Sequence, residues 1–160
     1  MDVLDKPRFT LLPNQAARTP DERAALLENP GFGRIFTDHM VTVRWTVDRG
    51  WHDAKVEARA PFQLDPACAV LHYAQEVFEG LKAYRGADGG ITLFRPDRNA
   101  ARFRESARRL AMPEVPDDLF LGAIEELVRV DEGWIPGGPD GSLYVSDDQG
   151  GRLYRIVYKK

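Results

Sequence analysis

The sequence predicts an α+β domain in two layers, an antiparallel sheet backed by two helices. Three observations lead there. Strand-patterned stretches come in neighbouring pairs joined by short turn-forming connections, as antiparallel partners do. Two longer stretches between Pro96 and Val128 carry apolar residues at helical spacing. The strand-like and helix-like stretches are also grouped, where a parallel βαβ fold would alternate them.

Residues 1–30 are polar and punctuated by Pro7, Pro13, Pro20 and Pro30, and they read as an arm laid over a domain at residues 31–160. The arm holds one short helix over Thr19–Leu27. Thr19 suits the cap, Pro20 the first turn, and Asp21 and Glu22 the positive end of the helix dipole. His39–Trp45 alternates as a strand, Asp48-Arg49-Gly50 turns the chain, and Asp53–Ala60 is a second strand with Ala54, Val56 and Ala58 on one face. Leu81–Arg85 and Ile91–Phe94 flank the glycine-rich connection 86–90 and predict a hairpin. No Gly-Lys-Ser/Thr follows those glycines, so they are not a phosphate loop. The first long helix opens at Pro96 and runs to about Leu110, burying Ala100, Phe103, Ala107 and Leu110. The second opens near Pro116-Asp117-Asp118. Its apolar face is Leu119, Phe120, Ala123, Ile124, Leu127 and Val128, and Glu125 is spaced to pair with Arg129. After the loop Pro136–Pro139, residues 142–160 read as a closing hairpin whose strands are Leu143–Val145 and Leu153–Tyr158.

A length of 160 residues suits one domain with its own core. With 43% hydrophobic and 29% charged residues the chain is an ordinary globular sequence, not a disordered one. A net charge of −3 argues against nucleic-acid binding as the main role. No apolar run reaches the length of a membrane span, and Met1–Lys6 has neither the basic nor the apolar region of a signal peptide. Cys68 is the single cysteine, which rules out an internal disulfide, and it reads as a small buried hydrophobe. A soluble cytoplasmic protein is expected.

Few residues offer chemistry of their own. His39, His52 and His72 are isolated from one another and from Cys68, so no metal site is expected. Glu76 and Glu79 are close in sequence but match no glycosidase pattern, and no Gly-x-Ser-x-Gly elbow is present. Asp38-His39 reads as a structural hydrogen-bonding pair. No catalytic residue is assigned. On the first long helix Arg98 and Arg102 share a face, with Arg109 two turns beyond Arg102 and Glu105 placed to compensate Arg102 in part. Two readings stand: a solvated basic face, or an anion site.

The blocks Gly31-Phe32-Gly33-Arg34, Leu71-His72-Tyr73-Ala74-Gln75-Glu76-Val77-Phe78-Glu79-Gly80, Leu93-Phe94-Arg95-Pro96 and Asn99-Ala100-Ala101-Arg102 together resemble the N-terminal domain of branched-chain amino acid aminotransferases, pyridoxal phosphate (PLP) enzymes of fold type IV. The likeness runs from about Phe9 to Val145 and is most specific between Gly31 and Arg109. It implies that Arg102, in the Asn-x-x-Arg segment, holds the cofactor phosphate; Arg98 and Arg109 are not carried over. It also implies that Phe32, Phe78 and Tyr144 line an apolar substrate pocket, and that Tyr73 is lent across a dimer interface. Such a pocket suits leucine, isoleucine and valine and separates them weakly.

The same likeness implies that the Schiff-base lysine lies in a C-terminal domain outside these residues. None of Lys6, Lys55, Lys82, Lys159 and Lys160 stands at its place, and Lys82 reads as a surface residue. Where the family continues with an arginine after Val145, this chain has Ser146. The chain is therefore expected to be inactive alone: half of a split enzyme, a non-catalytic module that pairs with an aminotransferase, or a folded fragment. A homo-oligomer or a partner supplying the missing domain follows from the first two.

Overall fold

A computed structural model describes residues 8–30, 34–136, 142–146 and 158–159, the last two stretches by their strand backbone. The α+β class holds, but the strands form two sheets where one was expected. In the first, β2 (His39–Thr46) and β3 (Gly50–Ala58) make the antiparallel hairpin, and β1 (Thr10–Leu11) from the arm adds to β3 in parallel. Val41 and Val56 face each other across that hairpin and both are buried. The register slips between Thr42 and Arg44, where Asp53 adopts φ 58, a bulge that reorients the strand. In the second sheet β4 (Gly80–Arg85) lies between β5 (Ile91–Leu93) and β6 (Ser142–Ser146), and β7 (Tyr158–Lys159) pairs with β6. The expected closing hairpin is thus present at its Tyr144↔Lys159 and Val145↔Tyr158 pairs; Leu153 to Val157 lie outside the described residues. Alternation tells which face of a strand is buried, not which strand lies beside it, so the split was not legible from pattern alone.

Four α-helices complete the fold among the described residues. Helix α1 (Pro20–Glu28) opens on a full capping box, the Thr19 side chain and the Glu22 carboxylate each satisfying the other's backbone amide. Helix α2 (Ala69–Tyr73) is a short turn that ends on Ala74 in the left-handed region. Cys68 stands at its N-cap position without a side-chain capping bond and is only partly buried, so its expected burial is corrected.

Helix α3 (Pro96–Arg109) buries Ala100, Phe103 and Ala107. Leu110 does not continue that stripe. It is the C-cap, and with Ala111 at φ 52 the chain turns away and leaves Leu110 exposed. Helix α4 (Asp117–Val130) is the common wall of the core. Its Ala123, Ile124, Leu127 and Val128 meet Val41 and Val56 of the first sheet, Leu81 and Ala83 of the second, and Trp134 and Ile135 after the 3-10 turn Glu132–Trp134. Phe103, Val115 and Leu119 form a smaller cluster between α3 and α4, with the Phe103 and Phe120 rings 5.2 Å apart. Arg129 pairs with Glu126 at 2.6 Å, one residue from the expected Glu125.

The arm is attached by Phe9, Leu26 and Leu27, which pack against the core, and by polar contacts. Asp38 and His39 are not partners of each other, contrary to expectation: Asp38 lies just before β2, His39 opens it, and each finds its partner elsewhere in the fold. Asp38 accepts from the Arg18 guanidinium at 2.8 Å, the Arg18 amide at 3.2 Å and the buried Trp134 indole at 3.0 Å. His39 turns instead to Asp131, ring to carboxylate at 2.7 Å and amide to carboxylate at 3.1 Å. Arg18 also stacks over the Trp134 ring, and Arg23 donates to the Arg18 carbonyl.

Candidate functional site

The segment between α2 and β4 is tacked along α3 at both ends. At one end the Gln75 amide donates to the Leu110 carbonyl at 2.9 Å. At the other, the Glu79 carboxylate meets Arg102, which donates from Nε at 2.6 Å and from Nη2 in a second, shorter contact. Between these ties Val77 packs against the Phe103–Val115–Leu119 cluster, while Phe78 is 60% exposed. Alternation along an extended segment explains this: tying Glu79 down on one side presents Phe78 on the other.

Glu79 is the unexpected centre of the site. Its side chain is 3% exposed, although that of its partner Arg102 is 69% exposed. Two further donors fix it, the Asn99 amide at 2.9 Å and the Gly80 backbone amide at 2.8 Å. Asn99 also donates to the Gly80 carbonyl at 3.0 Å, so α3 and the first residue of β4 are stitched together at one point. Burial works to raise the Glu79 pKa, but the hydrogen bonds from Arg102, Asn99 and Gly80 outweigh it and hold the carboxyl below its ordinary range. The same contact raises the Arg102 pKa, first through the hydrogen bond and then through the charge of Glu79.

A pH dependence follows. A carboxyl whose folded pKa is depressed stabilises the fold above its unfolded pKa of about 4.3, and that contribution is lost as pH falls through the lower, folded value. The stability gap between the parent chain and Glu79→Gln should therefore be flat at neutral pH and close as the solution is acidified below about pH 4. Urea unfolding at stepped pH measures it, and a gap that stays constant to about pH 2 would dismiss the linkage.

The predicted site residues are placed unevenly. Arg102 sits on α3 and takes Glu79, not Glu105, as its carboxylate; Glu105 serves Arg108 at 2.7 Å and Arg109 at 3.5 Å. Arg98 lies against Asp97 at 3.6 Å. Tyr73 ends α2 and is 83% exposed. The register of β6 sets Tyr144 opposite Lys82 of β4, and Lys82 is partly buried, not fully on the surface as expected. Phe32 lies outside the described residues. The backbone thus brings Phe78 beside the Glu79–Arg102 pair, and Tyr73 stands apart from it. Glu79, Asn99 and Gln75 were missed as site builders. The one signal available was the pairing of two short motifs, Phe-Glu-Gly and Asn-x-x-Arg, each with a polar residue that needs a partner.

Arg102 has donors to spare. Glu79 occupies the Nε–Nη2 edge, while Nη1 has no partner among the described residues. An exposed guanidinium held on one edge and open on the other suits a phosphate oxygen. Among the described residues no group of three or more His, Cys, Asp and Glu could hold a metal ion. No helix there is long and apolar enough to cross a membrane.

Comparison with known proteins decides the family. The chain is 56% identical over 140 residues to a probable branched-chain-amino-acid aminotransferase of Streptomyces coelicolor, a match covering 87% of the chain and 39% of that protein. The branched-chain-amino-acid aminotransferase of Mycolicibacterium smegmatis is 54% identical over 138 residues, 86% of the chain and 38% of its own length. Branched-chain-amino-acid aminotransferase 2 of Bacillus subtilis is 43% identical over 114 residues. Over this span the chain belongs to the branched-chain-amino-acid aminotransferase family. No family model matches it. The chain spans about two fifths of the length of the first two of these aminotransferases and about a third of the Bacillus protein, so it corresponds to part of such a protein.

Proposed function

We propose that this chain forms the substrate-pocket half of a PLP-dependent branched-chain aminotransferase and works only together with the rest of that protein's length. The observation that carries the reading is the identity above one half to aminotransferases of whose own length the match covers about two fifths. In this reading Arg102 contacts the cofactor phosphate through its open Nη1 side. Phe32, Phe78 and Tyr144 line an apolar slot for leucine, isoleucine or valine, which exclude water by filling it. PLP, when bound, supplies the electron sink for amino transfer to 2-oxoglutarate. One arginine is a single charged contact, so firm holding of the cofactor falls to residues beyond these.

Exposed aromatics support a partnered protein. Tyr73, Phe78 and Phe94 are all well exposed, as befits residues covered by a further domain or a second copy. In this reading Tyr73 is lent to the neighbouring site of a homodimer. A reducing, cytoplasmic setting suits the single cysteine.

Mixing is the test. The 160-residue polypeptide with PLP, leucine and 2-oxoglutarate should give no amino transfer. Adding the remaining length of the Streptomyces coelicolor relative as a separate polypeptide should restore a rate. A PLP-dependent rate from the 160 residues alone that survives replacement of all five lysines would overturn the reading.

A further inference from the structure

We infer that Glu79, seated by Asn99 and the Gly80 amide, is a positioning residue that aims the guanidinium of Arg102 so that its Nη1 side meets the anion. The inference rests on reading Arg102 as the phosphate contact and deepens it.

The asymmetry of the pair is the first support. A salt bridge that merely staples two elements has no need to leave one partner open, yet here the carboxylate is enclosed and the guanidinium is in solvent. An exposed arginine is among the side chains with most rotamer freedom to lose. Binding a ligand through it would cost that freedom unless something held it beforehand. A bidentate carboxylate fixes both the plane and the direction of a guanidinium, because its two acceptors match two parallel N–H groups.

The rigidity of the carboxylate is the second support. Glu79 could not aim anything if it were itself loose. Three donors from three backbone positions hold it: Arg102 and Asn99 from α3, and Gly80 from the start of β4. Asn99 precedes Arg102 by one helical turn, so both donors come off the same face. Asn99 in turn donates to the Gly80 carbonyl, which closes the arrangement.

The sign of the effect separates the possibilities. Glu79 is an anion beside a site for an anion. If it acted only as a competing charge, removing it would tighten phosphate binding. If it acted only as a staple, removing it would lower stability and leave binding unchanged. Positioning alone predicts weaker binding, by roughly two- to twelvefold for one side chain released from its fixed rotamer. Glu79→Gln is the informative change, since the new amide N–H faces the Arg102 donors and turns one of them away.

The experiment titrates the complemented protein, the 160-residue chain together with the remaining length of the Streptomyces coelicolor relative, with PLP and, separately, with pyridoxal, which lacks the phosphate; parent and variants differ only within the 160-residue chain. Fluorescence reads affinity, and the Arg102 Nε–H signal by NMR reads the order of the side chain. In the parent chain PLP should bind more tightly than pyridoxal, Arg102→Ala should abolish the difference, and the Nε–H should be protected from exchange. Glu79→Gln should then weaken PLP by the amount above, leave pyridoxal unchanged and lose the protection. Equal or tighter PLP binding in Glu79→Gln, with Arg102→Ala still defective, overturns the positioning role and leaves the Arg102 assignment intact. No difference between PLP and pyridoxal in the parent chain, or none on Arg102→Ala, removes the Arg102 assignment and the inference with it. Should Glu79→Gln fail to fold, Asn99→Ala loosens the seat while keeping both charges, and it should weaken PLP in the same direction.

Discussion

Leu127→Ala should lower the stability of the domain by about 2–5 kcal/mol, the range for a fully buried leucine whose site collapses only in part. Leu127 has 0% exposure on the face of α4 that both sheets share, among Val56, Ala83 and Ile124. The void would open where the two sheets meet, and the surroundings would have to move two sheets to fill it. Chemical denaturation reads the loss as a lower midpoint at unchanged slope. A cost below about 1 kcal/mol would mean that α4 is not the shared wall of the core. Leu127→Met, which keeps the volume, should cost less than about 1.5 kcal/mol.

Asp38→Ala should be the most damaging polar substitution, at about 2–4 kcal/mol, because it strands a buried donor as well as breaking an ion pair. The Trp134 indole N–H, on a side chain that is almost wholly buried, has Asp38 as its acceptor. Arg18 would lose its carboxylate for both its guanidinium and its amide. The damage should therefore appear first in the arm. Limited proteolysis of Asp38→Ala should cut between residues 8 and 30 faster than in the parent chain, while fragments containing α3 and α4 persist. Cleavage spread evenly along the chain would show instead that Asp38 holds the whole core. Replacing Arg18 alone should cost less, since its side chain is substantially exposed and such pairs contribute little.

Local sequence carried those features that depend on neighbours a few residues away. Thr19 and Glu22 announce the cap of α1 because the two side chains reciprocate within one turn. The stripe Ala100–Phe103–Ala107 announces the buried face of α3 because helical spacing is a local rule. Contacts set by the tertiary fold were out of reach. Arg102 has Glu105 one turn away, and spacing favours it, but Glu79 wins from 23 residues away because it is buried, rigid and accepts two bonds at once. Asp38 and His39 are adjacent, yet the fold brings Arg18 to one and Asp131 to the other. The two-sheet division escaped for the same reason. A strand's own alternation names its buried face, while its neighbour is chosen by the path of the chain through residues 59–79.

The Asp38 junction also sets an order of events during synthesis. Trp134 follows Asp38 by 96 residues. At roughly 5–20 residues per second, the ribosome delivers it on the order of ten seconds later. Through that interval the arm has β3 to lie against, but the indole that completes its anchor has not yet been made. An arm made well before Trp134 is thus fastened only after it.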